Sequence, residues 1–327
     1  MRFSDLLVCV VGYGSIGRRH ASNLKSLGAQ VIVFRSGLGN SKTPNFDASL
    51  KFIYDIDDLL KLRPDAMVIC NPTSLHCEFI KIAVDLGMHV FVEKPISDNS
   101  SDFKDLLESI NKKKLITCVG YMMRYDTGIK AIKQILELGQ IGTVSSAIIE
   151  WSSYLPDWHP WEDFKDSYAG KKNLGGGVVL TCSHEIDTAR YLFGDFIDVA
   201  VSGGSSSLLG LEVEDHVDIF SRHNTGTTCL IHIDWFQKQG QRTIKIIGEN
   251  GRLEWNFHTK DLYMYSSDTN KVLMANSTSD INELYLKNME DFLTSIIDSK
   301  QTSCTLEEGL ATLQVCELIL NRLNKND

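Results

Sequence analysis

Leu6-Leu7-Val8-Cys9-Val10-Val11-Gly12-Tyr13-Gly14-Ser15-Ile16-Gly17 decides the fold of the first part of the chain. Its apolar opening is far shorter than the ~20 residues of a membrane span and suits a strand buried on both faces. The G-x-G-x-x-G from Gly12 to Gly17 then stands where such a strand turns into a helix. Glycine is needed there so that the chain can turn tightly, admit a pyrophosphate close to its backbone and pack helix against strand. The helix N-terminus adds N–H donors for the anion. Gly12, Tyr13, Gly14, Ser15, Ile16 and Gly17 are therefore read as a dinucleotide cradle, with a purely structural glycine turn as the alternative.

Outward from that turn the pattern repeats. Short β-branched runs at 31–34, 66–70, 89–92 and 116–119 are separated by amphipathic stretches, the rhythm of a parallel sheet with crossover helices. Gly28, Gly87 and Gly120 fall where elements should stop, and a further helix is expected over 128–138. From Val144 the strands lengthen and alternate: Cys229, Ile231, Ile233 and Trp235 against Thr228, Leu230, His232 and Asp234, then Leu253, Trp255 and Phe257 against Glu254 and Asn256. One apolar and one polar face predict an open, mostly antiparallel sheet. The tail reads as helical. Leu286, Met289, Leu293 and Ile296 share a face, and Thr305 with Glu308 makes a capping box ahead of Leu306, Leu310, Leu313 and Leu320. The fold class is thus α/β, with a dinucleotide-binding domain over 1–122 and a second α/β domain over 123–327.

The 33 basic and 42 acidic residues among 327 give a net charge of −9, and no basic block exceeds Lys112-Lys113-Lys114, which argues against nucleic acid. Neither a membrane span nor a signal-peptide core is visible, so a cytoplasmic location is expected. The eight cysteines form no C-x-x-C pair and read as buried reduced thiols. His184-Glu185 is not a zinc motif, because Thr188 stands where the second histidine would be; no metal is expected.

Two further stretches carry chemistry. Phe34-Arg35-Ser36 ends the second strand, where NAD sites place a carboxylate; a guanidinium and a hydroxyl suit a 2′-phosphate instead. NADP is favoured, and NAD is equally served if Arg35 only stacks on the adenine. Asn71-Pro72-Thr73-Ser74-Leu75-His76 and Glu93-Lys94-Pro95 follow parallel strands, at the ends where open α/β sheets bind ligands.

With these motifs in order, and with Met123-Arg124-Tyr125, Gly175-Gly176-Gly177 and His184-Glu185-Ile186-Asp187 after them, the sequence resembles the glucose-fructose oxidoreductase / inositol dehydrogenase / rhizopine catabolism (Gfo/Idh/MocA) family. The resemblance implies a Rossmann domain followed by an α/β domain whose open sheet forms a homodimer or homotetramer. It also implies a nicotinamide cofactor held through Asn71, Pro72, Thr73, His76, Glu93 and Lys94, and catalysis by Lys94 and His184. Removing a hydride from an alcohol carbon also requires the hydroxyl proton to leave; an imidazole can take it, and a lysine can stabilise charge building on the oxygen. Arg124, Tyr125, Trp158, Trp161, Lys171, His184 and Asp187 are expected at the substrate. One departure is Leu180, where many members carry an aspartate four residues before the histidine. Asp187 is either the group that orients His184 or a structural carboxylate. The loop 154–172 is aromatic and unperiodic, and either stacks on a sugar ring or plugs the fold. That loop, the glycine run and His184-Glu185-Ile186-Asp187 together also resemble a subgroup tied to bacterial cell-surface glycan and sugar-nucleotide pathways. The reading is an NAD(P)-dependent oxidoreductase of a sugar, cyclitol or sugar nucleotide, and its rival is a cofactor-binding sensor without turnover.

Overall fold

The computed structural model describes residues 2–35, 47–160, 162–266, 270–274 and 280–326; Ser36 and Trp161 lie outside them. In chain order the first run is β1 (Leu7–Val11), α1 (Ser15–Ser26), β2 (Gln30–Phe34), β3 (Lys51–Ile53), α2 (Ile56–Leu62), β4 (Ala66–Ile69), α3 (His76–Asp85), β5 (His89–Val92), α4 (Phe103–Lys113) and β6 (Thr117–Val119). It continues with α5 (Thr127–Glu137), β7 (Val144–Tyr154), α6 (Val178–Thr181), α7 (His184–Phe193), β8 (Phe196–Gly204), β9 (His216–His223), β10 (Thr228–Asp234), β11 (Phe236–Gly248), β12 (Gly251–Asn256), β13 (Asp261–Ser266), β14 (Asn270–Met274), α8 (Ile281–Asp298) and α9 (Leu306–Asn326).

Contacts gather the chain into two units, Met1–Met122 with Asp280–Ala311, and Met123–Ser279 with Thr312–Asp327. The tail segment therefore departs from the expected division at 123–327. The physical reason is the apolar face of α8: Met289, Phe292, Leu293 and Ile296 complete the same core as Leu6, Val8 and Val10 around β1 and Leu24 of α1. The first unit holds a six-stranded sheet in the order β3-β2-β1-β4-β5-β6 with every pair parallel. β1 and β4 are buried almost throughout, as β-branched runs covered by helices on both faces should be.

The second unit holds an eight-stranded sheet, β14-β13-β12-β11-β7-β10-β9-β8, antiparallel at every pair except β7 with β10. The alternation read from β10 is realised: Cys229, Ile231, Ile233 and Trp235 are buried, and α6 and α7 pack over β7, β9 and β10. Among the described residues no helix is long and apolar enough to cross a membrane, and all eight cysteines are free thiols.

Candidate active site

In the first unit the strand order reverses at β1, which lies between β2 and β4, so a crevice opens beyond the C-terminal ends of β1 and β4. Gly12 turns the chain there at φ +89°, and a Cβ on it would approach the Cys70 carbonyl and the Asn71 N–H at 3.1 Å. A Cβ on Gly17 would stand 2.1 Å from the Gly12 oxygen, so helix and turn touch through glycine alone. Gly14 is different: among the described residues nothing lies within 4 Å of where its Cβ would be, and it caps α1 without a side-chain hydrogen bond. Among the described residues α1 thus begins at an open position with no capping side chain. Beside that position, both polar atoms of the Asn71 amide are buried without a partner among the described residues. An amide left so is costly unless a ligand meets it. Open glycine, bare helix N-terminus and unmet amide together fit a dinucleotide.

Other expected cofactor residues turn inward. Tyr13 is buried, its ring edge-on to Phe52 at 5.1 Å. His76 is buried with Nδ1 at 2.9 Å from the Pro95 oxygen and Nε2 at 2.8 Å from the Asn71 oxygen, so it clasps the turn after β4 to the turn after β5. Burial lowers its pKa, against the pull of the two carbonyls and of Glu93. Thr73 is buried in the turn between β4 and α3, next to the half-buried Pro72. Arg35 is half-buried beyond β2, its N–H donating to Ile53 at 3.0 Å.

At the end of β5, Lys94 is half-buried before a cis peptide to Pro95. Glu93 is buried and held by protein groups: Oε1 lies 2.7 Å from His20 Nε2, and Oε2 accepts the Lys94 N–H at 3.2 Å. His20, three residues past Gly17, is the residue that sequence reasoning missed. The one trace available was its place on the buried face of the helix opened by the glycine turn.

The second unit builds the surroundings of His184. Gly177 has φ +101°, and its Cβ would fall 2.2 Å from Glu214 Oε1; that close approach seats α6, whose Val179 N–H donates to Glu214 at 3.1 Å. α7 then begins with His184, buried to 6% exposure, four residues after the buried Leu180. Asp187 is buried in an ion pair. Arg124 Nε and Nη2 donate to its two oxygens at 2.8 and 2.6 Å, and Thr312 donates to it at 3.2 Å. Arg124 and Asp187, expected as substrate contacts, are therefore buried against each other. Glu185 is matched in the same way by Arg242, at 2.7 Å. Tyr125 is buried beneath Lys130, and Lys171 pairs with the exposed Asp166 at 3.2 Å. Trp158 stacks on Trp151 at 5.6 Å, meets Trp235 edge-on at 5.9 Å and donates Nε1–H to Ser153. The void it lines with Leu155, His159, Phe164, Ser167, Tyr168 and Ala169 is about 10 Å³.

Residues 6–121 match the family model of oxidoreductases with an NAD-binding Rossmann fold, and residues 129–254 match the GFO/IDH/MocA C-terminal domain. This chain belongs to the Gfo/Idh/MocA oxidoreductase family. Myo-inositol 2-dehydrogenase of Thermotoga maritima is 28% identical over 201 residues, 60% of this chain and 57% of that protein. Scyllo-inositol 2-dehydrogenase (NAD(+)) of Bacillus subtilis is 30% identical over 218 residues, 64% of this chain and 60% of that protein. The chain thus spans about three-fifths of the length of these curated relatives. A solved structure of levoglucosan dehydrogenase in complex with NADH and levoglucosan shares the fold at a TM-score of 0.85, with 98% of each chain covered and 18% identity.

Proposed function

We propose that this chain is an NAD(P)-dependent oxidoreductase that moves a hydride between a nicotinamide cofactor and a hydroxyl or keto group of a sugar, cyclitol or sugar nucleotide. The observation that carries this reading is the crevice of the first unit, where open Gly14, the bare start of α1 and the unmet Asn71 amide stand beside the turn that bears Lys94. Gly12 to Gly17 and Asn71 would hold the cofactor, whose nicotinamide ring supplies the hydride acceptor or donor when bound. Arg35 favours the 2′-phosphate of NADP. Lys94 hydrogen-bonds the reacting oxygen and stabilises its negative charge, and His184 exchanges the hydroxyl proton. The inositol dehydrogenases among the relatives support a polyhydroxylated ring as substrate, and the sequence resemblance of the loop 154–172, the glycine run and His184-Glu185-Ile186-Asp187 to a glycan-pathway subgroup favours a sugar nucleotide of cell-surface glycan synthesis. Homo-oligomerisation through the outer face of the second unit's sheet belongs to the same proposal.

The test is a panel of cyclitols, sugars and sugar nucleotides offered to the purified protein with either cofactor, followed by nicotinamide absorbance. One class should turn over. On that substrate Lys94→Met and His184→Ala should each lower turnover by about a hundred-fold while cofactor binding survives. Tight cofactor binding with no turnover across the panel would support the sensor instead.

A further inference from the structure

His20 ties the helix of the glycine turn to the strand end that carries Lys94. It is wholly buried, with its ring edge-on to Phe91 at 5.0 Å and to Tyr285 of α8 at 5.8 Å. Its Nε2 lies 2.7 Å from Glu93 Oε1, and the other oxygen of the same carboxylate accepts the Lys94 backbone N–H at 3.2 Å. Gly120, just past β6, makes room for this: a Cβ there would stand 2.9 Å from the carboxylate. Burial opposes the charge on Glu93, but the His20 hydrogen bond and charge, the charge of Lys94 and the Lys94 N–H outweigh it and lower the Glu93 pKa. A buried carboxylate held by a histidine of α1 and by the Lys94 N–H is an expensive way to pack a core, and an apolar side chain of similar volume would serve packing alone as well.

We propose that His20 and Glu93 are positioning residues for Lys94: through this relay the helix that cradles the dinucleotide fixes where the lysine stands. The inference rests on the role given to Lys94 above. A displacement of about 1 Å at a reacting group is enough to cost about a hundred-fold in rate, so the relay should be visible in turnover.

Two variants separate the hydrogen bond from the packing. His20→Gln keeps a nitrogen donor close to the Nε2 position, and His20→Met keeps the volume without a donor. In cofactor-free protein reductively methylated with isotope-labelled formaldehyde and a borohydride reductant, the dimethylamino resonance of Lys94, identified by its loss in Lys94→Met, should move in His20→Met and return in His20→Gln. Turnover should fall about ten-fold or more in His20→Met, with KM within about three-fold, and recover in His20→Gln. If His20→Met melts like wild type and keeps both the Lys94 resonance and the turnover, the relay is overturned while the oxidoreductase reading stands. If Lys94→Met itself turns over substrate as wild type does, both fall. Should His20→Met not fold, Glu93→Gln is read by the same resonance and the same turnover, with the same outcomes deciding.

Discussion

At the end of β2, Arg35 sits where a carboxylate would favour NAD, and its charge sets the first expectation at the scale of single residues. A charge-assisted hydrogen bond contributes about 1.5–3 kcal/mol, so NADPH should bind about ten-fold or more tightly than NADH, and Arg35→Asp should reverse the order. Equal dissociation constants in a fluorescence titration would end the assignment. Glu214 sets a second expectation. Burial raises its pKa to about 7, against the Val179 N–H and the charge of Lys172. The folded state thus holds the Glu214 proton more tightly than the unfolded chain does. The associated stability is fully present below the ordinary glutamate pKa and is lost as pH rises from there through about 7. Glu214→Gln accepts the same N–H and cannot ionise. It should melt higher than wild type at pH 8, by roughly 1–3 kcal/mol of stability, and equal it near pH 4. Identical melting curves at pH 8 would show that the carboxylate is not penalised.

Between residues and the whole, the loop 154–172 carries two readings, a platform for a sugar ring and a plug that packs the fold, and one variant distinguishes them. Trp158 lies between Trp151 and Trp235, with its indole N–H on Ser153, so its ring is already stacked on protein. Trp158→Ala should therefore destabilise the protein by about 3 kcal/mol and lower its melting temperature, while the KM of the folded fraction moves little. A raised KM with unchanged melting would restore the sugar-stacking reading. The parallel strands were legible because β-branched runs and stop glycines repeat locally, and the second sheet because its alternation is strict along β10 and β12. The short β3 carries too few residues to announce a period. The return of α8 to the first unit depends on which core its apolar face meets, and periodicity gives a face without a partner. The site divides in the same way. Gly12, Gly14, Gly17 and Lys94 are marked by local motifs, whereas the pairs Arg124 with Asp187 and His20 with Glu93 join residues far apart in sequence. Nothing in the spacing of those residues says that each will satisfy the other.

The molecule as a whole leaves one face of its larger sheet to solvent, and that face is not uniformly polar. Phe220 on β9, Leu230 on β10 and Ile148 on β7 are cross-strand neighbours, because Leu230 is in register with both of the others. They are 58%, 36% and 42% exposed, and so form a continuous apolar stripe across three strands. In the next row on that face His232 stands between Asp218 and Glu150; its ring lies 3.0 Å from Asp234, two residues on along β10, and 2.7 Å from Asp218, and those carboxylates raise its pKa to about 9 against the cost of burial. An apolar stripe rimmed by fixed charge is the usual make-up of a surface that another protein covers, and a second copy of the same open sheet is the covering proposed here. Light scattering behind size exclusion should then report a multiple of the 36.7 kDa chain mass for the wild type. Leu230→Lys, at the centre of the stripe, would place a charge in the covered face and should shift the mass toward that of a single chain. Because Leu230 points outward from β10, the variant should keep its monomer fold and its circular dichroism. A wild type that runs as a single chain at micromolar concentration, or a Leu230→Lys variant that stays assembled, would move the contact off this face.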